Sequence, residues 1–88
     1  MNTSRSGQRL DKWLWHARLV KTRTSGAELI RLGYVRVNGR RVDRTAKLVV
    51  AGDRLTVALP DRIVVIKVLA FAERRGPYSE ASKLYQLL

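Results

Sequence analysis

The sequence predicts an α+β domain: two N-terminal helices, a β-hairpin, further strands and a short C-terminal helix. Three observations carry that reading. The spacing of apolar residues changes from about 3.6 to two near Gly33. Asn38-Gly39 sits between two alternating segments, the signature of a two-residue hairpin turn. The chain has 88 residues, and lengths of this order make one domain.

Residues 1–8 are polar apart from Met1, and are expected to form a flexible arm ahead of one domain spanning 9–88. From Arg9 onward, Leu10, Trp13, Leu14, Ala17 and Val20 share one helical stripe, predicting a helix that ends near Val20. Asp11, Lys12, Trp15, His16 and Arg18 take its other face. A second helix of about ten residues would be marginal alone, so it must pack on the first. Thr22, Thr24 and Ser25 each offer it an N-cap, and Ser25-Gly26-Ala27-Glu28 reads as a capping box. Gly33 stands where a left-handed glycine stops the helix.

The hairpin pairs Val37 with Arg40, Arg36 with Arg41, and Val35 with Val42. Arg36 and Arg41 then face each other, which destabilises by a fraction of a kcal/mol unless something negative sits there. Leu48–Val50 reads as a short strand, and Arg54–Leu59 as a half-buried one. Arg62–Ala72 is a β-rich run, and Ser79–Leu87 is a terminal helix capped by Ser79.

Charge bounds the function. Eighteen Lys and Arg oppose seven Asp and Glu, a net of +11. Residues 1–47 hold twelve basic and three acidic side chains, a net of +9; residues 48–88 hold six and four, a net of +2. The excess is therefore localised, which points to a basic face. Arg makes up 13 of the 18, and guanidinium suits bidentate phosphate contacts and base stacking. A polyanion is the expected partner, with nucleic acid favoured over an anionic membrane because no apolar insertion face adjoins the basic residues.

The densest piece, Lys21-Thr22-Arg23-Thr24-Ser25, lies at the start of the second helix. Free backbone N–H groups, cations and hydroxyls converge there, which suits a phosphate. Arg9, Lys12, Arg18, Arg31, Arg36, Arg40 and Arg41 complete a face built from the helix pair and hairpin. Trp13 belongs to the core; Trp15 either stacks on an unpaired base or is covered by a terminal strand or the last helix. Asp11 is expected to cap or to hold Arg9 or a neighbouring arginine, and Glu28 to cap or pair. With no Cys and a single His there is no zinc-thiolate site, thiol nucleophile or histidine cluster. No catalytic triad order, carboxylate pair, phosphate-binding loop or dinucleotide fingerprint appears, so a non-enzyme without cofactor or metal is expected. The apolar run Ile63–Ala72 is shorter than the roughly 20 residues of a membrane helix, and the N-terminus lacks a secretory apolar region. A soluble cytoplasmic monomer is the expectation.

Arg9-Leu10-Asp11-Lys12-Trp13-Leu14, Lys21-Thr22-Arg23, Leu29-Ile30, Gly33, Val35, Val37-Asn38-Gly39, Lys47 and Gly52-Asp53 together resemble the S4 RNA-binding domain, or alpha-L motif, over about residues 9–57. Trp13-Leu14-Trp15, Ala17-Arg18, Val64–Val68, Arg74-Arg75 and the segment from Pro77 to Tyr85 look like its stand-alone, ribosome-associated branch, which includes a heat-shock protein. The resemblance implies two helices packed on a small, mainly antiparallel sheet. It implies ribosomal RNA as ligand, on free large subunits that still carry a nascent chain on transfer RNA, in rescue or recycling of stalled subunits. Carried over by position, it points to Arg9, Lys12, Lys21, Thr22, Arg23, Arg31, Asn38, Gly39 and Arg40. It also places the second helix's cap at Thr22, where the local rule favours Ser25. Position 27, often basic in the family, is Ala27, and Gly26 costs up to about 1 kcal/mol against Ala. The alternative function is an RNA-targeting module acting with an RNA-modifying enzyme.

Overall fold

The computed structural model describes residues 7–88, so residues 1–6 of the predicted arm lie outside the described residues. Gly7 and Gln8, read as the end of that arm, instead belong to strand β1 (Gly7–Arg9). It pairs antiparallel with β4 (Leu48–Val50), in the register Gly7↔Val50, Gln8↔Val49 and Arg9↔Leu48. Three polar residues leave no period-two signature, and the pairing comes entirely from the partner strand.

Helix α1 (Leu10–His16) follows directly. Its first N–H groups are satisfied by a distant loop: Leu10 N donates to Lys47 O at 2.8 Å and Asp11 N to Thr45 O at 3.2 Å. The helix stops short of the predicted Val20. Arg18 has φ 60, its N–H donates to Trp15 O, and Leu19 N donates to Leu14 O, each at 3.1 Å. That bond pattern is a Schellman stop with arginine in the position glycine usually takes. Leu19 and Val20 are still buried, but from the loop, and the spacing of Val20 mimics another helical turn.

Helix α2 (Arg23–Arg31) is capped by Thr22, whose Oγ1 accepts from Ser25 N at 3.0 Å. The family position, and not the local rule for Ser25, locates the cap. Gly33, at φ 84, ends the helix as predicted, with Gly33 N donating to Ile30 O and Tyr34 N to Leu29 O. Gly26 has a packing reason. A Cβ there would lie 3.3 Å from Val20 Cγ2 and 3.4 Å from Asp11 O, so its absence lets α2 approach α1 closely.

A five-stranded antiparallel sheet supports the helices. Its strands are β2 (Val35–Val37), β3 (Arg40–Arg41), β5 (Arg54–Ala58), β6 (Ile63–Val68) and β7 (Tyr85–Leu87), in the order β3-β2-β5-β6-β7. The hairpin has the expected register, Arg36↔Arg41 and Val37↔Arg40, and both turn residues have positive φ, Asn38 at 53 and Gly39 at 83. The predicted C-terminal helix is shorter than expected. Helix α3 spans Tyr78–Ala81, a 3₁₀ turn covers Ser82–Leu84, and the chain then extends into β7 against β6. Its cap position is Pro77, two residues earlier than Ser79 would set it. Pairing with an open sheet edge outweighs the helical preference of the last residues.

The core lies between the layers. Leu10, Trp13, Leu14 and Ile30 pack on Val35, Val37, Leu55, Val57, Ile66 and Val68, all buried. Trp13 is core as expected: its indole N–H donates to Ala70 O at 3.0 Å and its ring meets Tyr85 edge-on at 6.4 Å.

Candidate nucleic-acid interface

The first cluster grows from α1. Asp11 is only 4% exposed, and a carboxylate so placed requires partners. Its oxygens accept from Arg9 Nε at 3.2 Å, Arg9 Nη2 at 3.1 Å and Lys12 N at 2.8 Å, and Arg23 Nε lies 3.7 Å away. Arg9 and Arg23 come from different elements, yet one carboxylate holds both while nearly half of each side chain stays open to solvent. Thr22 and Lys21 precede Arg23. Because Thr22 caps the Ser25 N–H, the N–H groups of Arg23 and Thr24 remain directed out of the helix end, where its dipole favours an anion. Arg18 and Lys21 also line a neighbouring cleft of about 770 Å³ together with Leu19, Leu29 and Leu59.

Lys12 and Arg23 lie close enough to His16 to disfavour its protonation, as does Arg75. Burial is the larger cause, and together they hold the imidazole below its ordinary value of 6.5 despite the bond to Ala72 O. His16 Nδ1 lies 3.0 Å from that carbonyl, which can only accept, so Nδ1 carries the proton. Trp15 is half-buried. Arg75 lies 5.8 Å from its ring centroid and donates to Trp15 O at 3.0 Å and to Val20 O at 3.3 Å. Arg18 ties the same segment down, donating from Nε to Gly76 O at 2.6 Å.

The second cluster is on the sheet. Val35 and Val37 face the helices, so Arg36 projects from the opposite side, and Arg41 with it. The single face expected from helices and hairpin is therefore two faces separated by the sheet. Arg54 and Lys67, which the charge count assigned to the supporting half, are directly paired and occupy the same outer face as Arg36. Extending the register across the Pro60-Asp61 turn would have found them. Arg41 rests its guanidinium against Gly33.

The hairpin tip is braced from within. Asn38 Nδ2 donates to Asp53 Oδ1 at 3.0 Å, Asn38 Oδ1 accepts from Arg54 N at 2.9 Å, and Asp53 Oδ2 accepts from Val50 N at 2.9 Å. Gly39 is open, and Arg40 is exposed beside it. Arg31 stands about 12 Å along α2 from Arg23. Glu28 is exposed and forms no ion pair among the described residues. No group of three or more acidic or histidine side chains among the described residues is arranged to hold a metal.

The S4 domain profile matches residues 8–55, which contain the whole Asp11 cluster and the hairpin. Heat shock protein 15 of Escherichia coli K12 is 44% identical over 80 residues, 89% of this chain and 58% of that protein. The chain thus spans less than two thirds of the length of that relative. A Bacillus subtilis protein named RQC P-site tRNA stabilizing factor is 32% identical over 80 residues, 91% of each chain. The trimeric structure of Vibrio cholerae heat shock protein 15 superposes with a TM-score of 0.87 at 33% identity, covering 93% of this chain and 82% of that one.

Proposed function

The chain belongs to the S4 domain family, and on that premise we propose that it is a non-catalytic RNA-binding protein. It docks on structured ribosomal RNA of the large subunit, reading shape and phosphates more than base sequence. The observation that carries this reading is the Asp11 cluster: one buried carboxylate sets Arg9 and Arg23 beside Lys21 and the open end of α2. Guanidinium groups fixed in this way meet a phosphate with less ordering cost than free side chains do.

The role is recycling or rescue of stalled large subunits that still carry peptidyl-tRNA. The names of the relatives, a heat shock protein and a P-site tRNA stabilizing factor, support that assignment. Arg9, Lys12, Arg18, Lys21, Thr22, Arg23 and Arg31 contact RNA from the helices; Arg36, Asn38, Gly39, Arg40 and Arg41 do so from the hairpin. The protein acts in the cytoplasm, with the ribosomes it serves. Among the described residues no helix is long and apolar enough to cross a membrane. The protein acts as a monomer.

Sucrose-gradient sedimentation of a tagged copy tests the reading. It predicts co-migration with free large subunits. Sedimentation with small subunits, or at the top of the gradient, contradicts it. Analytical ultracentrifugation of the free protein separates a monomer from a trimer.

A further inference from the structure

We propose that the outer face of the five-stranded sheet, carrying Arg36, Arg41, Arg54 and Lys67, is a second nucleic-acid surface that binds a backbone segment distinct from the one on α1 and α2. The inference rests on the RNA-binding reading and extends it to residues outside the helix pair.

Register places the four cations. Arg36 pairs with Arg41 on one side and Thr56 on the other, and Arg54, two residues from Thr56, pairs with Lys67. All four are exposed. They span four adjacent strands, about 14 Å at the usual strand spacing. The remaining paired positions of that face include Thr56, Val65 and Gln86, and none is acidic. None of the four cations makes an ion pair among the described residues. Like charges directly opposite each other oppose folding, and two such pairs, Arg36–Arg41 and Arg54–Lys67, sit diagonally, one two-residue step apart along the strands. An anionic ligand removes that penalty on binding.

The face also has relief. Arg54, Lys67 and Asn38 line a hollow of about 440 Å³ beside Gly52 and Leu88. The row and hollow suit a run of phosphates, each a separate negative charge, better than a flat apolar partner. The occupant is a nucleic-acid backbone, held by charge and spacing without base readout. Because the sheet separates this face from the Asp11 cluster, both can be occupied together.

A titration with a short, fully paired RNA duplex at about 0.1 M salt tests the proposal, with stoichiometry read by sedimentation and calorimetry. The wild-type chain is expected to bind two duplexes. The Arg54→Ala/Lys67→Ala variant should bind one, and Lys21→Ala/Arg23→Ala should also bind one. Arg54→Lys/Lys67→Arg should restore two, separating lost charge from lost structure. A wild-type chain that binds one duplex, abolished by Lys21→Ala/Arg23→Ala alone, overturns the second surface and leaves the RNA-binding reading standing. Failure of the wild-type chain to bind any duplex overturns both.

Discussion

The two basic surfaces are built by opposite means. On the helix side a buried carboxylate hydrogen-bonds Arg9 and ion-pairs with Arg23, so positive charge is part of the fold's own internal pairing. On the sheet side Arg36, Arg41, Arg54 and Lys67 are placed by strand register alone and share no carboxylate. Equal local charge therefore has opposite effects on stability: on the helix side it satisfies a buried group, and on the sheet it repels itself. A charge count cannot distinguish the two, whereas register and burial do.

Removing the carboxylate strikes hardest at the contrast. Asp11→Ala should cost about 1–3 kcal/mol in denaturant unfolding, since it strips partners from Arg9, Arg23 and the Lys12 N–H. It should also weaken RNA binding. Unchanged stability would mean that Asp11 holds nothing. Next in size, Lys21→Ala and Arg23→Ala should each weaken binding to ribosomal RNA by roughly 1–2 kcal/mol, with the melting temperature nearly unchanged for Lys21→Ala and modestly lowered for Arg23→Ala, which takes one of two cations from Asp11. If either variant unfolds, that residue is structural.

Arg18→Gly removes the left-handed strain that ends α1 and should gain about 1 kcal/mol, less the loss of the Gly76 contact. A thermal melt reads the sign. His16 supplies a pH test. Its pKa is lowered in the folded state, so the unfolded chain binds more protons, and stability should decline as pH falls below the ordinary value of 6.5. His16→Gln should flatten that decline, and an unchanged profile would assign it to other groups. The smallest effect has the opposite sign to that of Asp11: Arg36→Thr should stabilise the free protein by a few tenths of a kcal/mol by relieving repulsion with Arg41.

The hairpin was legible to the residue, because Asn38-Gly39 admits few alternatives and period two sets both faces. Gly33 was legible for the same reason of backbone geometry. The end of α1 was not, since nothing local marks Arg18 as a left-handed stop while Val20 continues the apolar stripe. Strands β1 and β7 were hidden because short edge segments take their conformation from the partner. The candidate site was half legible. Lys21, Thr22, Arg23 and the restraining part of Asp11 follow from spacing and the family pattern, but the split into two faces required the sheet register.

The salt dependence of binding to ribosomal RNA tests the central claim most directly. For the wild-type chain, log affinity should fall linearly with log salt. In the Lys21→Ala/Arg23→Ala variant the slope should shrink by about 1.4–1.8, the loss of two phosphate contacts at roughly 0.7–0.9 each. A wild-type affinity that is flat in salt, or a slope the double variant leaves unchanged, would contradict phosphate docking at the start of α2.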